Sequence, residues 1–371
     1  TWHGLVTIEK WLTEYGQTIE TYDDYKAYLT WIKDNYNPSM PYVATANGMD
    51  SYLMSGFGIN SSWCLLDGKV VYGPATQNFK DYMYMMKDWY DNGLFNSNFF
   101  GETRFMAAEY SEIVNYQLGM FGTAYTFMPV VEGVSDDPNF HLKAVTCPVL
   151  EHGGKRPIDI SGASTRFETG LACIFSSCKD PVLLAKWFDY FFTDEGSMLC
   201  SYGVEGESYN LDENGKPVFI DYISHNPDHL APIQAWGKWT ADGIPHNYDW
   251  TREINDSLVG SGAEAQAIWD SNWVDTNTFP NVTRNKEEAD LYSSIMSDIE
   301  TRVAESIVKF IIGTNSMDDW DAFVDGLYSM KLQDANDVQQ AAYDRFRARG
   351  KEYCLGMMPP SDIAHGALSI D

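Results

Sequence analysis

Between Asp180 and Phe192, apolar residues recur at every third or fourth position: Leu183, Leu184, Trp187, Phe188, Phe191 and Phe192. That spacing predicts a helix with one buried face. Asp180-Pro181 supplies its start: a side-chain oxygen for the orphan N–H groups, then a proline whose missing donor costs nothing at the first helical position. Thr193-Asp194-Glu195-Gly196 breaks and recaps the chain, and Ser197 to Tyr202 reads as a second short helix. Gly203, Gly206 and Asn214-Gly215 punctuate the stretch after that helix, the last pair as a hairpin turn.

The same period recurs elsewhere. Thr21 is an N-cap, with Asp23 and Asp24 complementing the helix dipole, ahead of the stripe Tyr25, Tyr28, Leu29 and Ile32 that stops at Asn35 to Pro38. Thr76 caps a helix through Asp91 with Phe79, Tyr82, Met83, Met86 and Trp89 on one face. The methionines there read as core filler. Leu291, Ile295, Ile299, Val303, Ile307 and Phe310 form a long stripe ending at Gly313. Pro41–Thr45 reads as a buried strand and Thr169–Phe175 as another, while Gly4 to Trp11 opens on an apolar alternation and then turns polar.

The chain has 371 residues, enough for two lobes with separate cores. Its hydrophobic content of 44% and mean hydropathy of −0.32 fit a soluble globular protein. Twelve Trp and 23 Tyr are many; they imply a ring-rich core or, for some rings, a stacking platform for sugars. The net charge of −28 argues against nucleic acid or an anionic membrane as partner and suits a secreted or cell-surface protein. Cys64, Cys147, Cys173, Cys178, Cys200 and Cys354 include no C-x-x-C pair. They read as buried free thiols rather than a disulfide framework or zinc knuckle, with Cys173–Cys178 pairing across a strand end as the alternative.

The ordered elements Thr193-Asp194-Glu195-Gly196, Tyr202-Gly203-x-Glu205-Gly206-x-x-Tyr209 and Asp212-x-x-Gly215-Lys216-Pro217 resemble a segment of bacterial extracellular solute-binding proteins, the cargo receptors of ABC importers. The nearest resemblance is to the carbohydrate-type lipoprotein receptors of Gram-positive bacteria, relatives of the maltodextrin-binding protein. Lys69–Gly73, Asn92–Phe95, Gln117–Gly122, Phe140–Leu150, Thr283 with Glu287 and Glu288, Ile311–Gly313, Asp318–Phe323 and Gln340–Phe346 continue the match in order; the resemblance implies strands from Gly4 towards Trp11, over Lys69–Gly73 after the Asp67-Gly68 turn, over Gln117–Gly122 and over Phe140–Leu150. It extends over residues 4–348 and is poorest over 221–265; Glu20 stands where the family has proline.

The resemblance implies an α/β, periplasmic-binding-protein-like (type II) fold, with two α/β lobes joined by a hinge. Residues 1–160 and 223–354 would form the second lobe and 161–222 the remaining part of the first. The front of that first lobe, with the signal peptide and lipobox, would precede residue 1, and 355–371 would be a tail. It implies an extracellular, surface-anchored lipoprotein, monomeric and without cofactor, that closes on an oligosaccharide or other small solute and delivers it to the permease. The ligand contacts it implies are Asn47, Asp50 and Tyr52; Tyr125 and Phe127; and Trp269, Asn272 and Trp273. Lobe packing is the alternative reading of each.

No G-x-S-x-G, G-x-G-x-x-G, Walker A or H-E-x-x-H motif occurs. A carbohydrate-active hydrolase would need two positioned carboxylates, and no spacing singles out a pair. Glu205 and Glu207 are the best lone candidates. His225 and His229 are four apart, but Pro227 opposes the helix that would point both at a metal. Asp212–Gly215 has the wrong spacing for a calcium loop.

Overall fold

A computed structural model of the chain describes residues 2–44, 48–101, 110–158, 160, 172–228, 230, 232–240, 244–247, 261–274 and 276–348. In chain order its elements are β1 (His3–Ile8), α1 (Glu9–Tyr15), α2 (Tyr22–Tyr36), β2 (Met40–Tyr42), α3 (Ser51–Met54), β3 (Trp63–Leu66), β4 (Lys69–Tyr72), α4 (Gln77–Asp91), α5 (Tyr110–Val114), β5 (Leu118–Ala124), α6 (Met128–Gly133) and β6 (Leu142–Val145). There follow α7 (Pro181–Tyr190), α8 (Asp194–Tyr202), β7 (Tyr209–Leu211), β8 (Pro217–Phe219), α9 (Asp221–Ser224), α10 (Pro232–Trp236), α11 (Ser261–Asp270), α12 (Lys286–Ile311), α13 (Trp320–Ser329) and α14 (Leu332–Ala348).

The chain divides into two compact units, one of residues 1–123, 141–166 and 266–371, the other of 124–140 and 167–265. The resemblance had drawn the lobes at other residues: 124–140 and 223–265 here join 167–222.

The first unit is built on a four-stranded sheet in the order β2-β5-β1-β6. β1 is buried along its whole length and pairs antiparallel with β6, Leu5 opposite Val145 and Ile8 opposite Leu142. Its one hydroxyl inside the sheet is used: Thr7 Oγ1 donates to the Gly119 carbonyl at 2.9 Å and meets the Tyr28 hydroxyl at 2.9 Å. β2 runs parallel to β5. Gly119 permits that approach, because a Cβ there would stand 2.2 Å from the Pro41 carbonyl oxygen. β3 and β4 form a hairpin through Asp67 (φ 51°) and Gly68 (φ 74°), the left-handed pair a tight two-residue turn requires.

Helices pack on this frame as their stripes predict. Thr21 and Asp24 form a reciprocal capping box at the start of α2, whose Tyr25, Tyr28, Leu29 and Ile32 are buried. Thr76 caps α4, and Phe79, Tyr82, Met83, Met86 and Trp89 are buried. α12 starts at the Asn285–Glu288 capping box; its stripe is buried from Ile295 on, while Leu291 is exposed. Trp320 of α13 packs against Phe310 and Phe79, with ring centroids 5.0 and 6.0 Å away.

Three strand expectations shorten, the first being Pro41–Thr45, where β2 ends at Tyr42. The Gly4–Trp11 segment leaves the sheet at Glu9 and becomes α1, closed by Gly16 at φ 68°. Of Phe140–Leu150, only Leu142–Val145 pairs with a neighbouring strand of the sheet.

The second unit has a core of Tyr202, Tyr209, Phe219, Ile223, Ala235 and Trp236, with Met198, Ile220 and Trp239 against it. β7 and β8 form the expected hairpin, Tyr209 opposite Phe219. Its turn is closed by the Asp212 carboxylate, which accepts from the Asn214 and Lys216 N–H groups at 2.8 Å each, with Gly215 at φ 78°. α7 is capped as predicted, Asp180 accepting from the Leu183 N–H at 2.9 Å. The buried face expected of it is absent, however: no residue of α7 is buried, and of that stripe only Phe191 is. Nor is there a strand over 172–175.

Candidate functional site

In the first unit the residues after β2 are drawn inward. Asp50, 1% exposed, caps α3 by accepting from the Tyr52 N–H at 3.0 Å and the Leu53 N–H at 3.4 Å. Its other oxygen accepts the Tyr42 hydroxyl at 2.9 Å, and its N–H donates to the Tyr82 hydroxyl at 3.2 Å. Tyr52 lies against Gly122, where a Cβ would come within 2.3 Å of the ring, and its hydroxyl meets His3 Nδ1 at 3.0 Å. Burial, with the Asp50 charge beside them, pushes the Tyr42, Tyr52 and Tyr82 hydroxyls well above the ordinary phenol value. The three hydroxyls therefore stay protonated in a buried network that fixes the loop. Asn47 lies outside the described residues.

A second cluster forms where residues 155–158 run beside 271–277. The Arg156 N–H donates to the Asn272 carbonyl at 2.7 Å, and the Val274 N–H to the Arg156 carbonyl at 2.9 Å. The Arg156 side chain is wholly buried. Its Nη2 donates to the Trp269 carbonyl at 3.0 Å and Nη1 to the Ile158 carbonyl at 3.5 Å, while Nε has no partner. Among the described residues no carboxylate pairs with it. The Trp269 carbonyl lies in the last turn of α11, and Lys155 Nζ reaches the Ser271 carbonyl just beyond at 3.0 Å. Carbonyl ends of a helix carry partial negative charge, so two cations here compensate a helix terminus instead of an acid.

The three candidates on this stretch fare differently. Trp269 is 1% exposed, and its Nε1 donates to the Leu5 carbonyl of β1 at 3.0 Å. Asn272 is buried; its amide donates to the Cys147 carbonyl at 2.9 Å, and its Oδ1 has no partner. Trp273 is half-buried with an unpartnered Nε1. Beneath them the Cys147 thiol is pushed up to about 11 by burial, with Arg156 opposing.

In the second unit, Tyr125 is buried and Phe127 half-buried in the single 3₁₀ turn before α6. Glu205 and Glu207 are both exposed, in the turn before β7. His225 is exposed and pairs with Asp221 at 3.0 Å, and His229 lies outside the described residues. Among the described residues no group of three or more metal-ligating side chains forms, and no helix is long and apolar enough to cross a membrane.

Sequence reasoning passed over Arg156 and His3. The available signal for Arg156 was a basic pair, Lys155-Arg156, set between a glycine turn and a proline in a chain with 25 basic against 53 acidic residues.

No family model matches the sequence, and no curated protein matches it. Solved structures do. The alginate-binding protein AlgQ2 superposes with a TM-score of 0.73 at 21% identity, over 92% of this chain and 72% of that one. The ABC-transporter substrate-binding protein FusA of S. pneumoniae, solved with fructo-nystose, gives 0.65 at 18% identity, over 94% and 73%. An HMO-binding, ABC-transporter-associated solute-binding protein of Bifidobacterium longum infantis gives 0.62 at 14%, over 93% and 74%. These neighbours are binding proteins rather than enzymes. The chain has the α/β, periplasmic-binding-protein-like fold of ABC-transporter solute-binding proteins.

Proposed function

We propose that this protein is the substrate-binding receptor of an ABC importer, that its cargo is an oligosaccharide, and that it hands the cargo to a membrane permease without chemical change. The observation that carries this reading is the shared fold with proteins whose names record binding of alginate, fructo-nystose and HMO. In the same reading it acts as a monomer, outside the cell, anchored as a lipoprotein.

Direct contact is assigned to Trp273, a half-buried ring of the first unit; Phe127, half-buried in the second, keeps its assignment from the family resemblance alone. A partly exposed aromatic ring suits the apolar face of a pyranose. Asn272 supports Trp273 from the adjacent position. Asp50, Tyr52, Tyr125 and Trp269 are buried and shape the walls behind such contacts; Asn47 keeps its assignment from the family resemblance alone.

Intrinsic tryptophan fluorescence and calorimetry against fructo-oligosaccharides, alginate oligomers and milk oligosaccharides test the proposal. The expected result is saturable binding of one class, weakened about tenfold or more by Trp273→Ala. No response to any glycan would remove the sugar assignment, and release of shortened products would replace the receptor with a hydrolase.

A further inference from the structure

The Trp273 indole Nε1 has no partner. The place of that half-buried ring is therefore set by its backbone and by what packs around it. On both sides the backbone is tied to one residue: the Arg156 N–H donates to the Asn272 carbonyl at 2.7 Å, and the Val274 N–H to the Arg156 carbonyl at 2.9 Å. Arg156 and Trp273 thus pair across a parallel bridge. Further along, the Asn277 N–H donates to the Pro157 carbonyl at 2.8 Å. All of these residues belong to the first unit.

The Arg156 side chain holds the same stretch from its other end. Its Nη2 donates to the Trp269 carbonyl at 3.0 Å, in the last turn of α11 and ahead of Trp273. The guanidinium is fully buried, and among the described residues its partners are carbonyls, not a carboxylate. A buried cation without an acid weakens a fold, so core packing gives no account of it. What its planar fork does is join two carbonyls, those of Trp269 and Ile158, in a fixed geometry. The Trp269 ring is held elsewhere, by the Leu5 carbonyl of β1.

We propose that Arg156 is the positioning residue of the ligand-contacting ring Trp273: its backbone brackets that residue, and its guanidinium fixes the helix end that leads into it. The proposal rests on Trp273 as the ring that meets the oligosaccharide. A ring held in its bound place before cargo arrives is spared the cost of being ordered by it. Loss of the guanidinium should free the end of α11 and with it the stretch that carries Trp273, while the Trp269 indole stays anchored on β1.

The test reads fluorine NMR of the fluorotryptophan-labelled protein as wild type, Arg156→Met and Arg156→Lys, with the two resonances assigned from Trp269→Phe and Trp273→Phe. Without any sugar, Arg156→Met should shift or broaden the Trp273 resonance and leave that of Trp269 in place. Arg156→Lys, which still brings a charged donor to the carbonyls, should restore it in part. Affinity is then measured for whichever of fructo-oligosaccharides, alginate oligomers and milk oligosaccharides saturates the wild type. Arg156→Met should weaken it by about fivefold or more, but by less than about twofold when Trp273→Ala is already present. Should Arg156→Met not fold, Arg156→Gln takes its place in each comparison. Three results would overturn the proposal: an unmoved Trp273 resonance, equal movement of both indoles, which is general loosening, or an affinity loss that persists in full beside Trp273→Ala. A wild type that binds none of the glycans removes the oligosaccharide reading instead, and the fluorine resonances still decide whether Arg156 holds the ring.

Discussion

Trp269 and Trp273 lie four residues apart in one aromatic stretch, and replacing each by phenylalanine should affect different properties. The Trp269 Nε1 donates to the Leu5 carbonyl at 3.0 Å, and its ring lies on Gly4, where a Cβ would meet it at 2.5 Å. Trp269→Phe removes the donor from a buried acceptor, costing about 1–3 kcal/mol. The smaller ring adds about 1 kcal/mol for the space it leaves. A loss of about 2–4 kcal/mol corresponds to roughly 5–10 °C in the thermal midpoint of a domain this size. Trp273→Phe surrenders no hydrogen bond within the protein, since its Nε1 has no partner. Its midpoint should move by less than about 2 °C, while affinity for the bound oligosaccharide falls by about tenfold or more. Differential scanning calorimetry and a fluorescence titration on both variants separate the two roles. If Trp269→Phe keeps its midpoint and loses binding, the assignment of Trp269 to the wall and Trp273 to the ligand is reversed.

Three further outcomes are expected. Gly119→Ala places a Cβ 2.2 Å from the Pro41 carbonyl oxygen, and should cost about 1–3 kcal/mol by forcing β2 from β5; an unchanged urea midpoint would show that the strands are not so close. His152 is held above its ordinary value first by its bond to Glu20 and then by Asp24, while Glu20 is held low first by His152 and then by the Gly153 N–H. The histidine contribution is complete below the ordinary imidazole value of about 6.5 and fades as pH rises through the raised one; that of Glu20 is present above the ordinary carboxylate value of about 4.3 and fades as pH falls through the lowered one. NMR titration of His152 should show the raised midpoint, and His152→Gln should abolish the alkaline loosening of the Gly153 amide. Finally, Cys173 is exposed, whereas burial pushes the Cys64 and Cys147 thiols up to about 12 and about 11; a native Ellman titration at pH 8 should label Cys173 and spare the other two.

Local order was readable from sequence where its cause is local. The caps at Thr21, Thr76, Asp180 and Thr193 all form, as does the Asn214-Gly215 hairpin, because each depends on atoms within a few residues of one another. A stripe states which face a helix would bury but not what covers it, so α4 and α7 looked alike and differ completely in burial. Ring identity has the same limit. Trp269 and Trp273 share a residue type and a neighbourhood, and their division rests on a carbonyl in β1 that no local pattern could point to. The thiols show it in reverse: Cys64, Cys147 and Cys200 are buried as expected, but Cys173 is exposed and Cys178 half-buried, both unpaired, and the described residues 172–175 form no strand. Glu20, where the related receptors carry proline, accepts from the Gly153 N–H at 2.8 Å and His152, a contact proline could not make.

The place of β1 inside its sheet has a consequence for how the protein is made. β1 leaves the ribosome before its partners: one neighbour, β6, supplies Val145 opposite Leu5 only after 140 further residues, and Trp269 is 264 residues away from Leu5. At about 5–20 residues per second, the nascent strand waits roughly ten to thirty seconds for β6 and up to about a minute for the indole. During that interval a largely apolar strand is synthesised before its sheet is complete, since its other neighbour β5 also lies more than a hundred residues on. Slowing elongation ahead of β6 should therefore lower the soluble yield of this chain more than slowing it after Trp269.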